Sequence, residues 1–385
     1  LQNKMATAET LVNLANLEND VGNHNRAKQL YLEASEIFRE LGREMYVGIT
    51  LYQLGLIEHD TGKHVRASAL CNQAKEIFEK HGSQQGIANT LHTLATIDYF
   101  KGNYREAKQK YAQAMAIFKK IRDQQGINNT LFQLAIIERR KGNLGDAERL
   151  ARKSLELVSK LGDKASLAQT LYLLATLKQA SGSYGRAKRL YRRAKAIYEE
   201  LGRQSEMAAV SHQLGQMAEV TGNYGEAKKY CEESLKAFRK IGEQRGLATV
   251  LLQLGNIAFR KGTFDEAEKF YNRAKEVFES LADRPGMVAA LMNIGEIKRI
   301  KGNFDGAKKL YLESLKIRRS LREQGGIAST LGQLGSLAEQ DGEPEIAEKR
   351  YREAFALFRK IGAKQDSTKA MEDLERVQRQ RRPMN

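Results

Sequence analysis

The chain's 385 residues, 41% hydrophobic and 29% charged, have the composition of a soluble folded protein. No run of about 18 or more apolar residues offers a membrane span, and no secretory signal is visible. Lys and Arg outnumber Asp and Glu by 64 to 47, a formal charge of +17, which points either to an acidic partner or to a solvated basic exterior.

From the N-terminus onward a glycine returns every 40 residues, at Gly22, Gly62, Gly102, Gly142, Gly182, Gly222, Gly262, Gly302 and Gly342. Nothing is inserted or deleted between them. A fixed period of this length marks a solenoid, whose units bury their apolar faces only by stacking on their neighbours. One array is expected over 1–382, in units of about 4–43, 44–83, 84–123, 124–163, 164–203, 204–243, 244–283, 284–323 and 324–363, with a tail at 381–385. The chain opens at Leu1, nearly at the start of the first unit, so a missing upstream segment is expected.

Each unit carries two helical patterns. In the third, Ile87, Leu91, Leu94, Ala95 and Ile97 form one buried stripe between about Gln85 and Lys101. Gly102-Asn103 ends it, because glycine best accepts the left-handed cap. The second helix, about Tyr104 to Ile121, buries Tyr104, Ala107, Tyr111, Ala114, Phe118 and Ile121. A further glycine closes most units, but Arg122, Ala282 and Arg322 stand in its place in three, and those turns are expected to be less sharply fixed.

Two positions must stay small for the paired helices to approach. The first holds Gly or Ala throughout, as in Gly255 and Ala95, and the second is alanine in all nine units, from Ala27 to Ala347; a larger residue would overpack at a cost of about 1 to 3 kcal/mol. In units two and six Cys71 and Cys231 replace the usual tyrosine. Seven helices lie between them in a stacked array, so they are expected to be buried core thiols that cannot meet in a disulfide. Unit four, with Ala151 and Val158, is expected to be the least well filled. Past the ninth unit, Ala370, Met371, Leu374 and Val377 predict a capping helix over about 366–380, with Arg376, Arg379, Arg381 and Arg382 at its end.

The Leu94-Ala95 pair followed by Gly102, Ala107, Tyr111 and Ala114, repeated nine times, resembles the tetratricopeptide repeat in a lengthened form. This variety is similar to the repeats of Gα-binding polarity adaptors and to those that trail the nucleotide-binding domain of signal-transduction ATPases. The resemblance implies an all-α fold, a right-handed superhelical solenoid of nine helix-turn-helix units plus a C-terminal capping helix. Departures from the family's aromatic positions are Glu58, Asp98, Lys178 and Ala151.

Catalytic motifs are missing. There is no phosphate loop, no dinucleotide fingerprint and no Cys/His set at metal-ligand spacing. His59 and His64 flank a turn without an evident third ligand. The chain is therefore read as non-enzymatic, without cofactor or metal; its two unpaired cysteines are consistent with a reducing, cytoplasmic compartment.

In the family the first helices line the concave groove. The residue before the Leu-Gly pair reads Asn13, Gln53, Thr93, Gln133, Leu173, Gln213, Gln253, Asn293 and Gln333. Carboxamides both donate and accept, which is what gripping an extended peptide backbone requires; Gln is also a good helix former, or it bonds to the next unit. This series resembles the amide ladders of kinesin light chain and the polarity adaptors. One residue earlier, Tyr52, His92, Phe132, Tyr172 and His212 place rings in a row, either as exposed anchors or turned into the core. Arg139, Arg140, Arg260 and Arg299, with turn lysines such as Lys141, give a basic rim that suits an acidic or phosphorylated peptide. The lysine clamp of chaperone-binding relatives is absent. Glutamates such as Glu199 and Glu232 dilute the basic second helices, which disfavours nucleic acid. The expected function is a scaffold for an extended or helical peptide segment. The alternative is a sensor region of a larger signal-transduction ATPase.

Overall fold

The computed structural model describes residues 2–381, and those residues form nineteen α-helices and no strand. They pair as α1 (Gln2–Asp20) with α2 (His24–Glu40), α3 (Glu44–Asp60) with α4 (His64–Lys80), α5 (Gln84–Phe100) with α6 (Tyr104–Lys120), and α7 (Gln124–Arg140) with α8 (Leu144–Leu161). The series continues through α9 (Lys164–Ala180) and α10 (Tyr184–Glu200), α11 (Gln204–Val220) and α12 (Tyr224–Ile241), and α13 (Gln244–Arg260) and α14 (Phe264–Ser280). It closes with α15 (Arg284–Ile300) and α16 (Phe304–Ser320), α17 (Gln324–Gln340) and α18 (Pro344–Lys360), and the terminal α19 (Lys364–Arg381). The chain divides into two compact units, Leu1–Ala194 and Lys195–Asn385.

The turn between paired helices follows from its glycine. Gly102 adopts φ 82, its N–H reaches Tyr99 O at 3.0 Å, and Asn103 N reaches Asp98 O at 2.9 Å. These bonds satisfy carbonyls that a helix end leaves free. Arg122, Ala282 and Arg322 take the same left-handed conformation at φ 59, 52 and 58. Arg122 N bonds Lys119 O at 3.2 Å and Asp123 N bonds Phe118 O at 2.9 Å, so these turns keep the shape of the glycine turns rather than loosening. The absent glycine costs about 1 to 2 kcal/mol of strain at each.

Helix pairing rests on the small residues. Every alanine of the second-helix series, Ala27 to Ala347, is fully buried. On the facing helix a Cβ at Gly255 would lie 2.4 Å from Tyr271 Cε1, and one at Gly295 would lie 2.6 Å from Tyr311 Cε1. The same device operates between repeats, where a Cβ at Gly126 would meet Phe118 Cδ1 at 2.4 Å and one at Gly286 would meet Phe278 Cδ1 at 2.3 Å. The N-cap carboxylates Asp123 and Asp283 accept the N–H of these glycines at 2.9 and 3.1 Å, so cap and close approach are set together.

Departures from the aromatic pattern also have partners. Glu58, 1% exposed, lies 3.5 Å from Lys28 of the preceding repeat, and Glu138, 3% exposed, lies 2.5 Å from Lys108. At the next seam the charges are exchanged, Lys178 meeting Glu148 at 2.7 Å, and Lys298 repeats that arrangement with Glu268 at 2.8 Å. Asp98 pairs with Lys110 of its own repeat. In repeat four Ala151 packs among Ala135, Ala147, Leu173, Leu174 and Leu177. Nearby Ser154 donates to Asn128 Oδ1 at 2.6 Å and meets Thr170 Oγ1 at 3.2 Å. Cys71 and Cys231 are buried free thiols, pushed up to about 12 by burial.

The terminal helix buries Ala370, Leu374 and Val377 against the last pair, but Met371, placed on the same stripe by its spacing, is 39% exposed. Arg376 anchors the cap through two bonds of 2.9 Å to Glu339. The side chain of Arg381, and Arg382 with the rest of the tail, lie outside the described residues.

Candidate functional site

The ring and amide positions of the first helices pack against their neighbouring helices to different extents. Tyr52 Oη meets Thr93 Oγ1 of the next first helix at 3.2 Å. His92 stands edge-on to Tyr111 at 5.0 Å, Tyr172 edge-on to Tyr191 at 5.5 Å, and Phe132 packs against the cluster around Leu173. Tyr52, His92, Phe132 and Tyr172 are half-buried, and His212 is buried. The first four are neither free anchors nor full core. Burial pushes His92 and His212 down to about 4, so both rings are neutral at physiological pH.

The amides divide along the chain. Asn13 and Gln333 are exposed, while Gln53, Gln133, Gln213 and Asn293 are half-buried. Gln253 is 4% exposed and both its amide atoms lack a hydrogen-bond partner. Its Nε2 lies 3.3 Å from where a Cβ of Gly215 would stand, so it packs into the preceding helix and presents nothing to a ligand. Thr93 and Leu173 are buried as well. An uninterrupted ladder at this position is therefore not what the structure shows.

A second polar row, not foreseen from the sequence, lies three residues further along. In the first compact unit the buried ring of Tyr31 donates its hydroxyl to Asn16, and Tyr111 Oη meets Thr96 Oγ1 at 2.7 Å. In the second, Tyr271 donates to Asn256 Oδ1 at 2.7 Å and Tyr311 to Glu296 Oε2 at 3.1 Å. Where the tyrosine is replaced by Cys71 or Ala151, the facing residue is Leu56 or Ile136, whereas Cys231 faces Gln216, whose amide turns to His212 at 2.9 Å. That pairing was available to inspection, since a buried tyrosine needs a partner for its hydroxyl.

The predicted arginines fall into two classes. Arg260 Nε bonds Glu219 at 3.2 Å, and Arg299 bonds Glu296 at 2.5 Å and Gln340 at 2.8 Å. These are neutralised. By contrast, Arg139 donates to Thr176 Oγ1 at 3.2 Å and Arg140 to Tyr99 Oη at 3.1 Å.

In the second unit Glu219, Asn256, Phe259, Arg260, Tyr271, Asn293 and Glu296 line a cleft of about 330 Å³. Asn256 Oδ1 accepts from both Tyr271 and, at 3.4 Å, Asn293 Nδ2. A further cleft of about 300 Å³ under the cap includes Ser329, Gln333, Ser336, Tyr351 and Arg376. His59 and His64 share a hydrogen bond between Nδ1 atoms at 3.3 Å beside Phe100. Among the described residues no group of three or more His, Cys, Asp or Glu could hold a metal, and no helix is long and apolar enough to cross a membrane.

The sequence profile of the tetratricopeptide repeat matches residues 6–80, 46–120, 126–200, 206–280 and 286–360. The chain belongs to the tetratricopeptide repeat family. Among solved structures, this tetratricopeptide array is similar to a signal transduction ATPase with numerous domains from Pyrococcus horikoshii, which carries a tetratricopeptide repeat sensor. The TM-score is 0.69 at 16% identity, over 94% of this chain and 55% of that one. The array thus spans little more than half of that protein's length. It is also similar to the apo quorum sensor NprR of B. thuringiensis, with TM-score 0.62 and 12% identity over 89% of this chain and 99% of that one. A Rap protein complexed with competence and sporulation factor gives TM-score 0.55 and 13% identity over 89% and 98%. Identities this low show a shared fold. Comparison with curated protein sequences gives no match.

Proposed function

We propose that this tetratricopeptide array is a non-enzymatic scaffold that holds an extended peptide segment of a protein partner along its first helices. The observation that carries this function is the cleft around Asn256 and Asn293. Asn256 Oδ1 is occupied by Tyr271 and Asn293, which fixes the amide and turns its Nδ2 donors to the cleft. Asn293 keeps its Oδ1 as an acceptor. One donor and one acceptor match the C=O and N–H of a peptide group without reading its side chain. Phe259 supplies an apolar wall.

The test is capture of partners on the purified chain, identification by mass spectrometry, and affinity of the captured segment for the N256A/N293A variant. Loss of two such bonds predicts a fall of about tenfold or more, at roughly 1 kcal/mol per bond. Unchanged affinity, with helicity intact by circular dichroism, would refute the amide clamp.

A second function, sensor region of a larger signal-transduction ATPase, is favoured by the likeness to the Pyrococcus horikoshii protein over 94% of this chain. The gene's coding sequence upstream of Leu1 tests it. A phosphate loop is the supporting result, and its absence removes this alternative.

A further inference from the structure

On the first helices of repeats three to five, α5, α7 and α9, the only carboxylates are Asp98 and Glu138. Both are turned away to second-helix lysines, Asp98 to Lys110 and Glu138 to Lys108. Among the described residues Arg139 and Arg140 are therefore held by hydroxyls, Thr176 in one direction and Tyr99 in the other. A hydroxyl orients a guanidinium but does not cancel its charge, and each fork keeps further N–H donors. The arginines of the later repeats differ in that each already has its carboxylate, Arg260 in Glu219 and Arg299 in Glu296.

Rings frame the uncompensated pair. Tyr99 holds Arg140 and stands edge-on to Phe100 at 5.4 Å, while Phe100 itself is 60% exposed. Arginine flanked by aromatic side chains is the composition from which binding hot spots are made. We infer that the first-helix face around Arg139 and Arg140 is an anion-reading surface, which takes carboxylate or phosphoryl side chains of an acidic extended peptide. This assignment rests on the scaffold function proposed above and fixes where along the array the acidic part of a ligand sits. Of the four arginines of the expected basic rim it selects the two in repeat four, because Arg260 and Arg299 are already paired.

Fluorescence anisotropy on the full chain at about 0.15 M salt, where charges more than ~8 Å away are largely screened, tests the inference. The probes are labelled nonapeptides of three Gly-Glu-Ser repeats, of three Gly-Gln-Ser repeats, and of three Gly-Gln-phosphoserine repeats. The glutamate peptide is expected to bind at least about tenfold tighter than its glutamine isostere. R139Q/R140Q should erase that ratio. R149Q/R152Q, which changes two exposed second-helix arginines already paired with Asp146 and Glu148, removes the same formal charge and should keep it. R139K/R140K retains the charges without the planar fork and should keep part of the ratio, which separates loss of charge from loss of folding.

Equal loss in both glutamine variants would overturn the inference, since long-range charge alone would then explain the preference. Equal binding of glutamate and glutamine peptides, still weakened by N256A/N293A, would overturn the inference while leaving the scaffold function standing. No binding of any peptide would remove both. A phosphoserine peptide that binds tighter through the same arginines assigns the site to phosphoryl groups. A labelled oligothymidylate that outcompetes every peptide through those arginines would overturn it in favour of nucleic acid.

Discussion

Glu138 is 3% exposed and its carboxylate lies 2.5 Å from Lys108 of the preceding repeat, with Asn143 Nδ2 at 2.7 Å on the other oxygen. Those two partners hold its carboxyl below the usual carboxylate range. One seam further on the charges are exchanged in Glu148 and Lys178. Each of these two junctions thereby accepts one order of neighbours and penalises another, since burying a charge beside a like charge is costly.

E138K is accordingly expected to destabilise by roughly 3 to 5 kcal/mol, because it places two ammonium groups in one seam. K108E/E138K recreates the arrangement found at the Glu148 and Lys178 junction and should recover most of that loss. Urea unfolding of the single and double variants measures the recovery. A double variant no better than the sum of its parts would mean that the pair contributes nothing specific.

The left-handed turns at Arg122, Ala282 and Arg322 offer a gain. Glycine carries no Cβ to clash there, so R122G, A282G and R322G should each stabilise by about 0.5 to 1 kcal/mol, partly offset by the greater freedom of glycine in the unfolded chain. The converse change, G102A, has open space around the added methyl but φ 82, and should cost about 1 kcal/mol from strain alone. Thermal melts of the four variants decide the sign.

Acid sensitivity follows from two imidazoles, His92 and His212, each with a buried ring nitrogen that has no hydrogen-bond partner. In the folded protein His92 and His212 titrate near 4, below the ordinary histidine range. The unfolded chain therefore binds protons first. Their contribution to stability is complete above about pH 6.5, and it falls as pH drops towards about 4, by on the order of 2 to 3 kcal/mol per histidine. Melting temperature measured across that window should decline in the wild type and flatten in H92Q/H212Q. A parallel decline in the variant would place the sensitivity elsewhere.

Much of the fold was legible because it repeats. The 40-residue glycine period, the invariant Ala27 to Ala347 series and the Gly or Ala facing each tyrosine all survive as turn and packing rules. Relationships between repeats were harder to read. Phe118 over Gly126 and Lys108 with Glu138 join residues whose significance appears only when two helices are set side by side. The candidate site was least legible, since one step along a helix turns a side chain by about 100°. That step separates Tyr52 from Gln53, and Gln253 is buried while Gln333 at the equivalent position is exposed. Arginines were visible as a set, but their partners were not, so the paired Arg260 and the unneutralised Arg140 looked alike.

The tyrosine row connects stability to binding. Tyr271 is 2% exposed as a residue, yet its hydroxyl reaches Asn256 Oδ1 at 2.7 Å on the floor of the cleft. Y271F keeps the ring over Gly255 and removes only that donor, so the stability cost should stay near 1 kcal/mol. Asn256 would then lose one of the two bonds that fix its amide, and its orientation would no longer be set before a ligand arrives. Affinity for a peptide retained by the array should fall by about three- to tenfold through lost preorganisation. Y191F, whose hydroxyl serves Gln179 outside that cleft, provides the comparison, with a similar stability cost and little change in affinity. Equal affinity loss in the two variants would detach the Tyr271 hydroxyl from recognition and leave it a packing group.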